Sequence, residues 1–266
     1  MITNFHTHTA LCHHAVGMPP DYIAAAEREG CSGLGFSDHA PLPDRIWQAA
    51  RMTPSQAPGY MKAVREAGKD AGFPVYAGFE CEWHPQFKNW ITDFLLGELK
   101  ADFLVYGPHW VKEGDEFLWI GELTERSQVY RYTDLTVEGI QSGLFSYIAH
   151  PDILMSNWRS WDGDARACLG AVIDAAVASG LPLEINGNGL ERPLIQGDSG
   201  PRHPYPVREF WELALERGAQ VICNSDAHYP EAVISAALKA HEFAAEIGCV
   251  PLETPRFRKA AAEGLI

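Results

Sequence analysis

The chain has 266 residues, 46% of them hydrophobic and 21% charged, a composition that supports a sizeable core and fits one domain spanning 1–266. Its formal net charge is -14, from 35 Asp and Glu against 21 Lys and Arg. That balance excludes the basic footprint of a nucleic-acid-polymer binder, but it leaves room for an anionic substrate wherever bound cations reverse the local sign.

In chain order, ITNFHTH at 2–8 reads as a strand, followed by the helical pattern DYIAAAEREG. GLGFSDH at 33–39 is the second strand, then PGYMKAVREAGKDAG; PVYAGFECE at 74–82 is the third, then NWITDFLLGELKAD. FLVYGPHW at 103–110 precedes LTVEGIQSG, and LFSYIAHPD at 144–152 precedes ARACLGAVIDAAVASG. LPLEINGN at 181–188 leads to VREFWELALERG, and AQVICNSDAH at 219–228 leads to YPEAVISAALKAHEFAAEIG. The helical stretches carry apolar residues three and four apart and often stop at Gly, a favoured C-cap. Strand–helix alternation of this length implies a parallel sheet covered by helices. The irregular stretches 40–57, 112–124 and 190–206 are long enough to be functional loops. No apolar run approaches the roughly 18 residues of a membrane span. The six cysteines form no CxxC pair, and with no N-terminal leader they point to free thiols in a reducing cytoplasm.

The polar residues choose between an open sheet and a closed barrel. The strands end in His6 and His8, Asp38 and His39, Glu80 and Glu82, His109, His150, Asn186, and Asp226 with His228. One strand-end histidine is ordinarily a satisfied polar group. Here only 11 of 266 residues are histidine, yet five of the seven strands end in one. A parallel barrel gathers these ends at one face, whereas an open sheet spreads them along a crevice. Crowded imidazoles and carboxylates are costly to bury unless cations compensate them.

His6 and His8, two apart on a strand, project to the same face and can hold one ion together. His14, or His13, reaches a neighbouring position from the following loop. A mixed imidazole and carboxylate shell suits divalent Zn, Mn or Fe, and the absence of a thiolate cluster argues against a structural zinc site of the Cys type.

HTH at 6–8, FSDHAPLP at 36–43, GFE at 78–80, PHW at 108–110, AHP at 149–151 and SDAH at 225–228 together resemble the PHP (polymerase and histidinol phosphatase) superfamily of metal-dependent phosphoesterases. APLP, GLERP at 189–193 and the Tyr-Pro at 205–206 are similar to its histidinol-phosphate phosphatases. The resemblance implies a distorted (β/α)7 TIM-like barrel holding three divalent metal ions at the C-terminal ends of the strands. His6, His8, Glu80 and Asp226 would hold the first ion. Glu80 would bridge to a second ion held by His109 and His150, and His14, His39 and His228 would hold the third.

A water between two cations about 3.5–4 Å apart loses a proton near neutral pH and can attack phosphorus in line, while cations neutralise the non-bridging oxygens. The expected activity is phosphomonoester hydrolysis by this bridging hydroxide, with L-histidinol phosphate the leading substrate. Asp226 or His228 would relay a proton to the leaving group. Arg192 in GLERP is the leading candidate to clamp phosphate, with Arg159 next and Lys112, Arg202 and His203 behind. Asp38 and Glu82 are expected to orient ligands or substrate. Trp110, with some of Trp47, Trp83, Trp119, Trp158 and Trp161, is expected to wall the pocket, and His84 and His241 to take no part.

Two departures bear on the substrate. Gly17 stands where the family pattern has an acidic residue, and AHPD at 149–152 replaces the more usual HPT. The rival readings are a PHP phosphoesterase acting on a nucleotide or sugar phosphate, and a non-catalytic metal- or phosphometabolite-binding barrel. An amidohydrolase shares HxH but does not suit GFE and SDAH.

Overall fold

The structure is a computed structural model describing residues 2–44 and 46–257. Its strands are β1 (Ile2–Asn4), β2 (Cys31–Phe36), β3 (Val75–Cys81), β4 (Phe103–Tyr106), β5 (Trp110–Glu113) and β6 (Glu116–Trp119). They continue as β7 (Tyr147–Ile148), β8 (Leu183–Asn186), β9 (Ile195–Gly197), β10 (Gly200–Arg202) and β11 (Val221–Asn224). Seven of them form one parallel sheet in the order β1-β2-β3-β4-β7-β8-β11, and β5–β6 and β9–β10 are antiparallel hairpins outside it. The outer layer is α1 (Pro19–Arg28), α2 (Ala57–Ala67), a π-helix (Trp90–Glu98), α3 (Arg126–Gln141) and α4 (Gly163–Ser179). It is completed by α5 (Gly187–Glu191), α6 (Arg208–Glu216) and α7 (Ala232–Glu246). Among the described residues no helix is long and apolar enough to cross a membrane.

The sheet closes unevenly. Just past β1 and β11 the His8 amide donates to the Ala227 carbonyl at 2.9 Å and the Ala227 amide donates to the His6 carbonyl at 3.2 Å. At the opposite end the two strands are separated by the later chain: the Leu252 amide donates to the Val221 carbonyl at 2.7 Å, and the Thr3 hydroxyl donates to the Glu253 carbonyl. The result is the distorted seven-stranded barrel expected from the sequence.

Period-two alternation sorts the strands into an inner and an outer face. Phe79, Cys81, Leu104, Tyr106, Leu183, Ile185, Val221 and Cys223 pack outward in the large core under the helices. Phe5, Phe103, Val105, Tyr147, Ala149 and Ile222 form a separate inner cluster that fills the barrel floor, with Phe257 stacked on Phe103 at 5.3 Å between ring centroids. Gly35 is required there, because a Cβ would lie 2.8 Å from Phe103 and 2.9 Å from Phe5. The apolar floor leaves the opposite end of the barrel to the polar residues that follow the strands.

Several element boundaries differ from the sequence reading. The strand expected at 144–152 pairs over Tyr147–Ile148 alone, and His39, His109, His150, Asp226 and His228 lie beyond the ends of their strands, His39 in an isolated parallel bridge to Glu80. The helix expected at 135–143 starts nine residues earlier, at Arg126, and Val129, Tyr132 and Thr133 in its first turns already form the buried stripe that Thr136 and Ile140 continue. The stretch after β3 is a π-helix, whose wider turn brings Ile91, Leu95 and Leu96 onto the buried side. Two of the expected loops, 112–124 and 190–206, hold the hairpins β5–β6 and β9–β10.

Candidate metal centre

Glu80 is the hub. It sits at the inner face of β3, 2% exposed, and its two oxygens look in different directions. Oε1 lies 3.0 Å from His150 Nε2 and 3.4 Å from His109 Nε2. Oε2 lies 3.0 Å from His39 Nδ1 and 3.5 Å from both His6 Nε2 and His8 Nε2. Asp226 Oδ1 stands across from it, 3.1 Å from His8 Nε2 and 3.5 Å from His6 Nε2. Gly107 makes room for this carboxylate, since a Cβ there would fall 2.4 Å from Glu80 Oε1 and 2.6 Å from His109.

Farther out, the His8 ring stacks on His228 at 4.3 Å and lies 4.5 Å from His39, and His14 lies 5.0 Å from His228 and 5.3 Å from His39. Of the two histidines left open by the sequence, His14 is therefore the one beside the cluster, while His13 forms a left-handed turn at φ 68°. Asp226 and His150 also hold positive φ, at 53° and 30°. Side chains other than glycine adopt this backbone at a cost, and it persists where the surroundings over-determine it, commonly at functional sites.

The donors fit metal ions. Among buried side-chain atoms without a hydrogen-bond partner are His6 Nε2, both nitrogens of His8, Glu80 Oε2 and His150 Nδ1, all in this cluster. An unsatisfied buried polar atom costs about 1–3 kcal/mol, so their concentration here calls for a cation. His6–His8–Glu80, His6–His150–Asp226 and His8–His39–His228 each bring their ligand atoms within 4.8 Å of one another.

The electrostatics agree. Burial drives the His6 imidazole toward neutrality, but Glu184, Asp226 and Glu80 override it and hold its pKa well above the usual 6.5. Burial likewise raises the Glu80 and Asp226 carboxyls, yet the surrounding imidazoles, His109 first for Glu80 and His6 first for Asp226, hold both well below the usual range. His228 is driven down to about 4 by burial and by the positive charge of His8, which keeps its lone pair free. Its Nδ1 lies 2.9 Å from the Asp226 carbonyl, and His14 Nδ1 lies 2.7 Å from the Cys12 carbonyl; each contact orients the ring and turns Nε2 away from the backbone.

A polar layer behind these groups includes a residue the sequence reading missed. Glu184, wholly buried on β8, accepts from His6 Nδ1 at 2.9 Å, the His150 amide at 3.0 Å, and Asn186 and Asn224 at 2.9 Å each. Its signal was its position two residues before Asn186 on the same strand face. Cys12 is the second missed residue. Burial pushes its thiol up, but His14 and His8 outweigh that and bring it to about 7.

Glu82 accepts from His109 Nδ1 at 2.8 Å and pairs with Arg51 at 3.4 Å. Asp38 is buried beneath His8 and accepts from the Thr9 amide at 3.1 Å, so it is not a wall of the pocket.

The centre opens into a cavity of about 760 Å³ lined by His14, His39, Trp47, Trp119, Arg192 and Tyr229 among others. Arg192 lies on this wall, its guanidinium 6.0 Å from the Tyr205 ring centroid. Arg159, Arg202 and His203 do not. They line a second cavity, of about 610 Å³, on the other side of the segment 190–194, because the β9–β10 hairpin carries Arg202 away from the metal cluster. Lys112 lies on β5 and faces a third hollow with His84. Trp110 is 2% exposed and packs on Phe117 and Trp47 at 4.0 and 5.0 Å between centroids; it supports the wall, while Trp47 and Trp119 form it.

Comparison with known proteins agrees with this architecture. The PHP domain family matches residues 4–188. A curated relative from Deinococcus radiodurans, named probable histidinol-phosphatase, is 33% identical over 235 residues, covering 85% of each chain. A solved histidinol phosphate phosphatase from Lactococcus lactis, in complex with zinc, L-histidinol and phosphate, superposes with a TM-score of 0.69 at 15% identity, covering 94% of this chain and 95% of that one. A candidate histidinol phosphatase from Listeria monocytogenes superposes at 0.67 and 17% identity, covering 87% and 97%. The family expected from the motifs is thus the family found: the chain belongs to the PHP domain family.

Proposed function

We propose that the chain hydrolyses a small phosphate monoester, L-histidinol phosphate, at this centre and so serves histidine biosynthesis. It is a phosphoric monoester hydrolase of the PHP family, and the observation that carries the reading is Glu80, whose two oxygens face separate sets of imidazoles. In the proposed assignment His6, His8, Glu80 and Asp226 hold one divalent ion, Glu80, His109 and His150 a second, and His14, His39 and His228 a third, the ions being Zn, Mn or Fe. Bound there, such ions acidify water to a nucleophile and withdraw charge from phosphoryl oxygens.

The chain's own groups supply the rest. Arg192, on the pocket wall, grips the phosphate oxygens through two parallel N–H bonds. Asp226 or His228, both held unprotonated, would take up the proton released by the attacking water and relay it toward the leaving oxygen. Trp47, Trp119 and Tyr229 give the leaving group an aromatic wall.

Gly17 cannot bind the substrate amine. Its φ is +84° and a Cβ would lie 3.0 Å from Pro230, so an acidic side chain does not fit this turn. The pocket's remaining acid outside the metal cluster and the Glu82–Arg51 pair is Glu191. Tyr229 and Lys239 hold it at the rim, Lys239 at 3.0 Å, so a substrate amine bound by this carboxylate would share it with Lys239 or displace that lysine.

The test is phosphate release by Zn- or Mn-loaded protein from a panel of monoesters and diesters, before and after chelation. Preference for L-histidinol phosphate, abolished by chelator, is expected. Preference for a nucleotide or sugar phosphate would overturn the substrate, and failure on every ester would overturn the activity.

A further inference from the structure

We propose that Cys12 is a tenth ligand of the centre, its sulfur binding the outermost ion together with His14 and His228. The inference rests on the three-ion reading above and goes beyond its imidazole and carboxylate set.

The placement of Cys12 begins with the turn after β1. Thr9 caps a single 3-10 turn, Ala10–Cys12, by accepting from the Leu11 amide, and Asp38 holds Thr9 in turn through its amide at 3.1 Å and its hydroxyl. The loop is then pinned to the rim: the Ala10 amide donates to the Gly17 carbonyl and the Val16 amide to the His228 carbonyl, both at 2.9 Å. His13 takes the left-handed conformation, so Cys12 and His14 turn back toward the same side. Cys12 is wholly buried, and the ligand atoms of Cys12, His14 and His228 lie within 4.8 Å of one another.

A second observation points to an ion in the same place. His8 is wholly buried, neither of its ring nitrogens has a hydrogen-bond partner, and it forms one ligand-spaced group with Cys12 and Asp38 and another with His39 and His228. Other cysteines are placed differently. Cys31 and Cys81 direct their thiols to the carbonyls of Gly33 and Phe79, and Cys168 and Cys223 sit in the apolar core. A thiolate among imidazoles is a soft donor, which favours zinc over manganese at the outer position, while the harder carboxylates Glu80 and Asp226 serve the inner ions.

The test reads the ligand itself. Wild-type protein, loaded with cobalt(II) and its ion content measured, should show a near-ultraviolet sulfur-to-cobalt charge-transfer band. X-ray absorption of the zinc form should show a sulfur neighbour at about 2.3 Å. The band should vanish in Cys12→Ser and persist in Cys249→Ser, which removes the least buried cysteine. Zinc affinity at the weakest site should fall about tenfold or more in Cys12→Ser, with manganese affinity changing less. A fully loaded wild type with no sulfur neighbour, or a band that survives Cys12→Ser, overturns the proposal. Phosphatase assays on the same samples separate the two readings: active, loaded protein without sulfur ligation removes Cys12 alone, whereas protein that binds no ion removes both.

Discussion

Two cavities flank the segment 190–194, one of about 760 Å³ over the histidine cluster and one of about 610 Å³ beside the β9–β10 hairpin. They are similar in size and both contain charged residues, but those charges are used differently. In the second cavity the Arg202 guanidinium donates to four carbonyls, those of His203, Pro204, Met155 and Arg159, at 2.8–3.1 Å. Arg208 pairs with Glu246 at 3.2 Å, and Asp198 accepts from Ser160 and the Trp161 amide. Arg202 and Asp198 hold the β9–β10 hairpin in place, and among the described residues of this cavity His203 Nδ1 is the buried side-chain atom left without a partner. At the first cavity, atoms of Glu80 and His150 on its lining and of His6 and His8 beneath it are buried without partners. Unspent donors, rather than volume or charge, mark the place where a ligand is needed.

That contrast can be broken most directly at its two central carboxylates. Glu80→Gln should lower kcat/KM for phosphate monoesters by about 10³-fold or more, the scale of losing preorganised transition-state electrostatics, while Asp198→Asn in the second cavity leaves it unchanged. Phosphate release measured beside metal content and far-ultraviolet dichroism checks this; a fully active Glu80→Gln would remove the bridging assignment. Behind the cluster, Glu184→Gln keeps the volume but weakens the hold on His6 and the His150 amide. Metal affinity, read by competition with a chromogenic chelator, should fall about 10–100-fold. Arg192→Ala and Arg159→Ala set the two cavities against each other again. Loss of a charge-assisted contact is worth about 1.5–3 kcal/mol, so the first should cost roughly 10–100-fold in kcat/KM and the second nothing. Equal losses would mean that substrate spans both cavities.

How far the sequence discloses each part follows from the same physics. The barrel and its cluster are legible because period-two strands leave a regular trace, and because histidine is too scarce in the chain to recur at strand ends by accident. His14 was separated from His13 only by the resemblance to the family's motif spacing, since a loop residue next to His13 carries no periodic signal. Glu184 was legible by the rule that linked His6 to His8, but it lies inside a strand rather than at its end, among neighbours that read as ordinary core. The substrate wall was least legible. Arg159, Arg202 and His203 sit in polar loops, as Arg192 does, and only the path of the β9–β10 hairpin separates them. Trp110 and Trp119 face each other across one hairpin, paired in register, yet one is 2% and the other 53% exposed.

Trp119 offers the finest test of the comparison, because Leu194 is its counterpart across the dividing segment. The two are 53% and 57% exposed, Trp119 lining the first cavity and Leu194 the second. Neither side chain is held by enough packing for its removal to cost much stability, so truncation reports on ligand contact alone. An aromatic contact is worth about 0.5–1.5 kcal/mol beyond its area, which converts to roughly a two- to tenfold rise in KM. Trp119→Ala should show that rise for esters with an aromatic or imidazole leaving group and none for a simple alkyl phosphate, with kcat unchanged in both. Leu194→Ala should alter neither substrate. A rise for the alkyl ester as well would move Trp119 from recognising the leaving group to shaping the phosphate site, and it would place the aromatic wall closer to the ions than its exposure on the β5–β6 hairpin implies.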